Sequence, residues 1–139
     1  MDGSAGMLEL ARKQEGLYKD IREVLFGEGA LPEDMKGRFR LATCVGLLLK
    51  GHAPPETLDE MVASLVGEKG DLLIFIIRED GYLQCGHKEK LDQLVADGVI
   101  EQIHEKWHKR TTNNEIFSDE LYKKATDSIL MHYVLTGKK

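Results

Sequence analysis

Leu72-Leu73-Ile74-Phe75-Ile76-Ile77, running into Arg78-Glu79-Asp80-Gly81, is the stretch on which the fold class turns. Six consecutive apolar residues suit a buried helix and a buried strand equally, because periodicity cannot separate the two over so short a run. Asp80-Gly81, with apolar residues on either side, is a hairpin-turn signal. A two-stranded ribbon is marginal by itself, however, and the sequence offers no obvious third strand to support one. The run therefore reads as a helix, with a small β-hairpin near residues 72–86 as the alternative.

Upstream the pattern is helical. Leu10, Leu17, Ile21 and Val24 recur at helical spacing and predict a helix over residues 5–27. Gly27, Gly29 and Pro32 break it. Pro32 suits the first turn of a second helix, Glu33 and Asp34 favour its positive end, and the apolar run up to Lys50 predicts a buried central helix. Pro54-Pro55 opens a third helix carrying Leu58, Met61, Val62 and Leu65, which Gly67 and Gly70 close.

Downstream, residues 87–109 read as two helices meeting at Asp97-Gly98, the second with an Ile100, Ile103, Trp107 stripe that should bury the indole at least half. The segment Leu91 to Trp107 resembles the closing helices of polar-amino-acid solute-binding proteins over fewer than 20 residues. Those receptors are larger, two-lobed and exported, so no function is carried over. Ser118 is a good N-cap for a last helix bearing Leu121, Ala125, Ile129 and Tyr133 to near Leu135. The expected architecture is all-α, a compact bundle of six or seven helices. Residues 1–6 are expected to be a disordered leader or cloning remnant, and residues 7–139 a single helical domain.

The 139 residues, 42% hydrophobic and 31% charged, suit one globular domain rather than a disordered chain. A net charge of −5 disfavours non-specific attraction to nucleic acid or anionic lipid. The whole deficit lies in residues 1–99, and residues 100–139 are slightly basic. Two cysteines, Cys44 and Cys85, suit a reducing compartment, and a cytoplasmic location is expected.

Three constellations could carry chemistry. His104-Glu105-Lys106-Trp107-His108 spells the His-Glu-x-x-His zinc pattern, in which histidines at i and i+4 of a helix grip one metal and the Glu activates water. Glu115, Asp119, Glu120 or His132 would have to complete it, and the cations Lys106, Lys109 and Arg110 oppose a divalent ion there. Cys85 and His87 could join His104 and His108 as a structural zinc set, although their one-residue spacing is tight. The third is a winged helix. A recognition helix at 87–96 would project His87, Lys88, Lys90 and Gln93, the phrase 95–100 would lead into a strand, and His108, Lys109, Arg110, Asn113 and Asn114 would form the wing. Cys44 reads as a small core residue.

No Gly-rich phosphate loop, Gly-x-Ser-x-Gly elbow or paired carboxylate motif occurs. The reading is a non-enzymatic regulatory or adaptor protein without a cofactor, acting through another protein or a second copy of itself. A winged-helix-like DNA-binding regulator using residues 87–114 is the alternative, and a zinc-dependent protein using residues 104–108 the next.

Overall fold

The computed structural model describes residues 1–29, 31–109 and 127–137. It is an α/β structure and not an all-α bundle. Helix α1 spans Ala5–Arg12, and a 3-10 turn at Glu33–Met35 precedes strand β1, Leu41–Val45. Helix α2 (Thr57–Ser64) leads to strand β2 (Leu72–Arg78), followed by helices α3 (Glu79–Gln84) and α4 (His87–Ala96) and strands β3 (Ile100–His108) and β4 (Ser128–Leu135). The four strands form one mixed sheet in the order β1-β2-β4-β3.

The 72–77 run is a central strand, neither the expected helix nor half of a hairpin. It pairs parallel to β1 on one side and antiparallel to β4 on the other, so its backbone groups are consumed and apolar side chains suit both of its faces. The parallel β1–β2 pair needs a crossover, and α2 supplies it. Asp71, wholly buried, fixes the start of β2 by accepting from the Gly67 and Glu68 N–H groups at 2.9 and 3.0 Å, and it pairs with Arg40 at the mouth of β1.

Asp80-Gly81 is not a turn between strands; it lies inside α3. A Cβ on Gly81 would stand 2.4 Å from the carbonyl oxygen of Leu48, so glycine serves the close packing of α3 on the 48–49 loop.

The other expected helices shrink or change type. The first stops at Arg12, with Leu10 and Leu17 exposed, and the supposed central helix at 32–50 becomes the short 3-10 turn and β1. Gly37 and Gly46 bracket β1, and both hold positive φ, which a continuous helix forbids. Residues 57–64 and 87–96 are helical where the spacing predicts helices.

The second helix of the 87–109 pair is strand β3, so the likeness to solute-binding proteins ends at Asp97. The supposed last helix is strand β4 over residues 128–135, its earlier part lying outside the described residues. Ser4 caps α1 and Asp2 bridges to Glu23, which ties the first residues to the rest of the chain.

The core fills one face of the sheet. Leu73, Phe75 and Ile77 of β2 and Ile129, Met131 and Tyr133 of β4 pack against Leu58 and Met61 of α2, Tyr82 of α3, and Leu91 and Leu94 of α4. The Phe75 and Tyr133 rings stack at 5.5 Å. Among the described residues no helix is long and apolar enough to cross a membrane.

Candidate interaction face

Register assigns every strand residue to a face, because directly opposed residues point the same way. Ile74 opposes His132 and Ile76 opposes Leu130, while Leu72 opposes Val134, all on the side away from the helices. Beyond β2, Val45 extends this side. Beyond β4, Glu101, His104, Lys106 and His108 extend it. Among the described residues, Leu58 and Met61 of α2, Tyr82 of α3, and Leu91 and Leu94 of α4 belong to the core on the opposite side. Ile76 is 37% exposed and Val45 69%, and Leu72, Ile74, Leu130, His132 and Val134 are only partly buried.

The centre of this face is thus aliphatic, and the β3 end is polar, with Glu101 and Lys106 opposite in charge and His104 and His108 beside them. The His104 and His132 rings lie side by side across β3 and β4, with centroids 4.9 Å apart. The sequence signal for such a face is the unbroken 72–77 run: a strand apolar on both sides either lies between two layers or leaves one side bare.

The sequence-derived site residues are dispersed. His104 and His108 lie on strand β3 and not on a helix, so their four-residue spacing sets them roughly 13 Å apart along the chain. His87 is wholly buried at the start of α4, its Nδ1 3.0 Å from the carbonyl oxygen of Gly81 and its Nε2 3.1 Å from that of Ala53. It sits between α3 and the loop before α2 with each ring nitrogen at hydrogen-bond distance from a carbonyl oxygen, and a neutral ring donates to one of the two. Cys85 is partly buried, with its thiol 3.9 Å from the Asp80 carbonyl oxygen. Among the described residues no three His, Cys, Asp or Glu side chains gather as a metal site.

The winged-helix reading receives its strand: α4 is followed at residue 100 by β3 and then β4, with β4 between β3 and β2. The charge on the presumed recognition helix is another matter. Lys88 is bonded to Asp92, which raises its pKa, and Lys90 pairs with Asp59 at 2.7 Å. Glu89 and Asp92 on the helix balance the two lysines and Asp97 caps its end, so α4 presents no basic surface. Gln93 is exposed on α4 and Lys109 is exposed just after β3, while Arg110, Asn113, Asn114, Glu115, Asp119 and Glu120 lie outside the described residues.

Cys44 stands on the core side of β1, where burial pushes its thiol up to about 11, so it is no nucleophile at neutral pH. Compared with known proteins, the chain matches no family model and no curated protein.

Proposed function

We propose that this chain is a small binding module, an adaptor or regulator, that docks another protein on the face of its sheet that the described helices leave open. The observation that carries this reading is the aliphatic centre formed by Leu72, Ile74, Ile76, Leu130 and Val134 on the side that the described helices leave bare. A contiguous apolar patch rimmed by polar groups is the usual mark of an interaction site. The rim gives the partner's chemistry. Glu101, His104, Lys106 and His108 line the β3 end of this face, so the fitting partner has an apolar patch beside polar groups that include a carboxylate for Lys106.

The test is affinity capture with wild-type protein and with Ile76→Asp, followed by purification of each captured protein and calorimetric titration against both baits. A purified partner bound about 100-fold more weakly by Ile76→Asp, and also weakened by Lys106→Glu, supports the reading. A partner indifferent to both substitutions, or association of the chain only with itself in sedimentation equilibrium, defeats it.

One observation favours a second reading, a DNA-binding regulator: the order α3, α4, β3, β4 supplies the helix and hairpin that a winged helix needs. The pairing of both α4 lysines with carboxylates opposes it. Fold order alone does not carry function. Micromolar binding to a fluorescent duplex, weakening steeply with salt and abolished by Lys109→Glu, would place this reading first.

A further inference from the structure

Among the described residues, β1 and β3 are the two edges of the sheet, and they differ in kind. β3 carries Glu101, His104, Glu105, Lys106 and His108 and a register shift between Gln102 and His104. Charge and irregularity are the usual means by which an exposed edge is kept from pairing with another chain. β1 is Leu41-Ala42-Thr43-Cys44-Val45, with no charge, no proline and an unbroken register with β2.

Alternate residues of a strand turn their backbone N–H and C=O groups to opposite sides. The Arg40 carbonyl accepts from the Leu72 N–H at 2.9 Å, so Ala42 and Cys44 share that side and pair with β2. Phe39 turns the other way, donating to the Ser64 carbonyl at 3.0 Å and accepting from the Val66 N–H at 2.8 Å. Leu41, Thr43 and Val45 follow Phe39 in this alternation, and all three are exposed. Among the described residues no hydrogen bond engages their outward backbone groups.

A cavity of about 530 Å³ adjoins this edge, between β1, α2 and the N-terminal segment, and all five residues of β1 line it. Its larger contributors are apolar: Met7, Phe26, Leu31, Phe39 and Met61. Thr57 of α2 also lines it, 1% exposed and with no hydrogen bond to its Oγ1. A strand added at β1 would turn every second side chain to the α2 side of the sheet, toward this cavity. The β1 of a second copy would bring only Ala42 and Cys44 to that side, too small to fill it.

We infer that the β1 edge binds an extended peptide segment of another protein, which adds a strand to the sheet through the outward groups of Leu41, Thr43 and Val45 and sends large apolar side chains at alternate positions into the cavity. Main-chain hydrogen bonds supply the hold, and the cavity supplies the choice of side chains. This site is separate from the aliphatic centre of the bare face.

The probe is the peptide acetyl-Lys-Thr-Phe-Thr-Leu-Thr-Lys-amide, added to the full-length protein and followed by backbone amide hydrogen exchange. At about 1 mM peptide, exchange at Leu41, Thr43 and Val45 should slow about tenfold, while Ala42 and Cys44, already bonded to β2, change little. Two isomers of the peptide, N-methylated on alternate amides, separate main-chain pairing from side-chain burial. The isomer methylated on the amides that face β1 should not bind, and the other should. Thr43→Pro removes an outward N–H, which an edge strand tolerates, so the variant should fold and lose the peptide. No protection at millimolar peptide overturns the inference, as does equal behaviour of the two isomers. Self-association of the chain that Thr43→Pro abolishes overturns it too, since the edge then serves a second copy. Ile76→Asp disables the bare-face centre and should leave peptide binding as it is, so the two proposals fail separately.

Discussion

Ile76 and Ile77 are neighbours in sequence, identical in chemistry and opposite in surroundings, so truncating each in turn measures the one-sidedness of the sheet. Ile77 is 1% exposed and opposes Ile129, itself 0% exposed, beneath the helices. Ile77→Ala removes three carbons at roughly 0.8 kcal/mol each and leaves a void between layers, for about 3–4 kcal/mol in all. Ile76 is 37% exposed and lies opposite Val45 and Leu130, with none of the described helices above it. The same three carbons, less than two-thirds buried and leaving no enclosed void, are worth about 1–1.5 kcal/mol. The two variants should therefore differ by about 2 kcal/mol or more in urea denaturation at unchanged m-value, and by several degrees in Tm. Equal losses, or a larger loss for Ile76→Ala, would refute the assignment of Ile76 to a bare face and the docking proposal with it.

Other measurements address separate parts of the structure. Trp107 is 45% exposed at the end of β3, its indole N–H donating to Glu105 at 2.8 Å, so native emission should be red-shifted and Trp107→Ala should cost under about 1 kcal/mol. Cys85 should react with a maleimide at neutral pH well before Cys44, which is 8% exposed; labelling of both at one rate contradicts the placement of β1. Burial raises the pKa of Cys44 to about 11 from 9.0, and raises those of Tyr82 and Tyr133 as well. Groups raised by burial stabilise the fold fully below their unfolded pKa and lose that contribution as pH climbs to the folded value. Stability should therefore decline from about pH 9 upward, and Cys44→Ala should soften the first part of that decline; a flat profile to pH 11 counts against a buried thiol. His87→Ala removes the ring held between two carbonyl oxygens and should cost about 2–4 kcal/mol in denaturation, while His104→Ala on the bare face should be near neutral.

The helices that were legible in the sequence are those whose signal is local. α2 follows Pro54-Pro55, buries Leu58 and Met61 on one side, and ends before Gly67, so punctuation and periodicity agree. α4 buries His87, Leu91 and Leu94, again one stripe. The strands were illegible because what makes them strands is distant. Nothing within residues 41–45 or 72–78 says that these segments will pair, 31 positions apart in register, since β1 and β2 meet only once α2 has folded back. The candidate site was legible only in part. The aliphatic residues of the bare face stand out in the sequence, yet without a sheet they read as core, and Thr57 carries no sequence signal of a cavity.

The misreading of residues 100–107 has a specific geometric cause. Ile100 opposes Leu135 and Trp107 opposes Ile129, so both lie on the core side of the sheet, seven residues apart. In an unbroken strand an odd separation puts two side chains on opposite faces. The register shifts between Gln102 and His104, and the irregularity at Ile103 restores the pair to one side while leaving Ile103 itself 53% exposed. A bulged strand thereby reproduces the seven-residue repeat of an amphipathic helix, and the same bulge sends His104 and His108 to the bare face. Had β3 been regular from Ile100 onward, those histidines would lie on the core side and Trp107 on the bare one. Because Gln102 and His104 already oppose consecutive residues of β4, deleting Ile103 should remove the bulge, keep His104, Lys106 and His108 on the bare face and leave a docked partner bound as before; loss of that binding would refute the register.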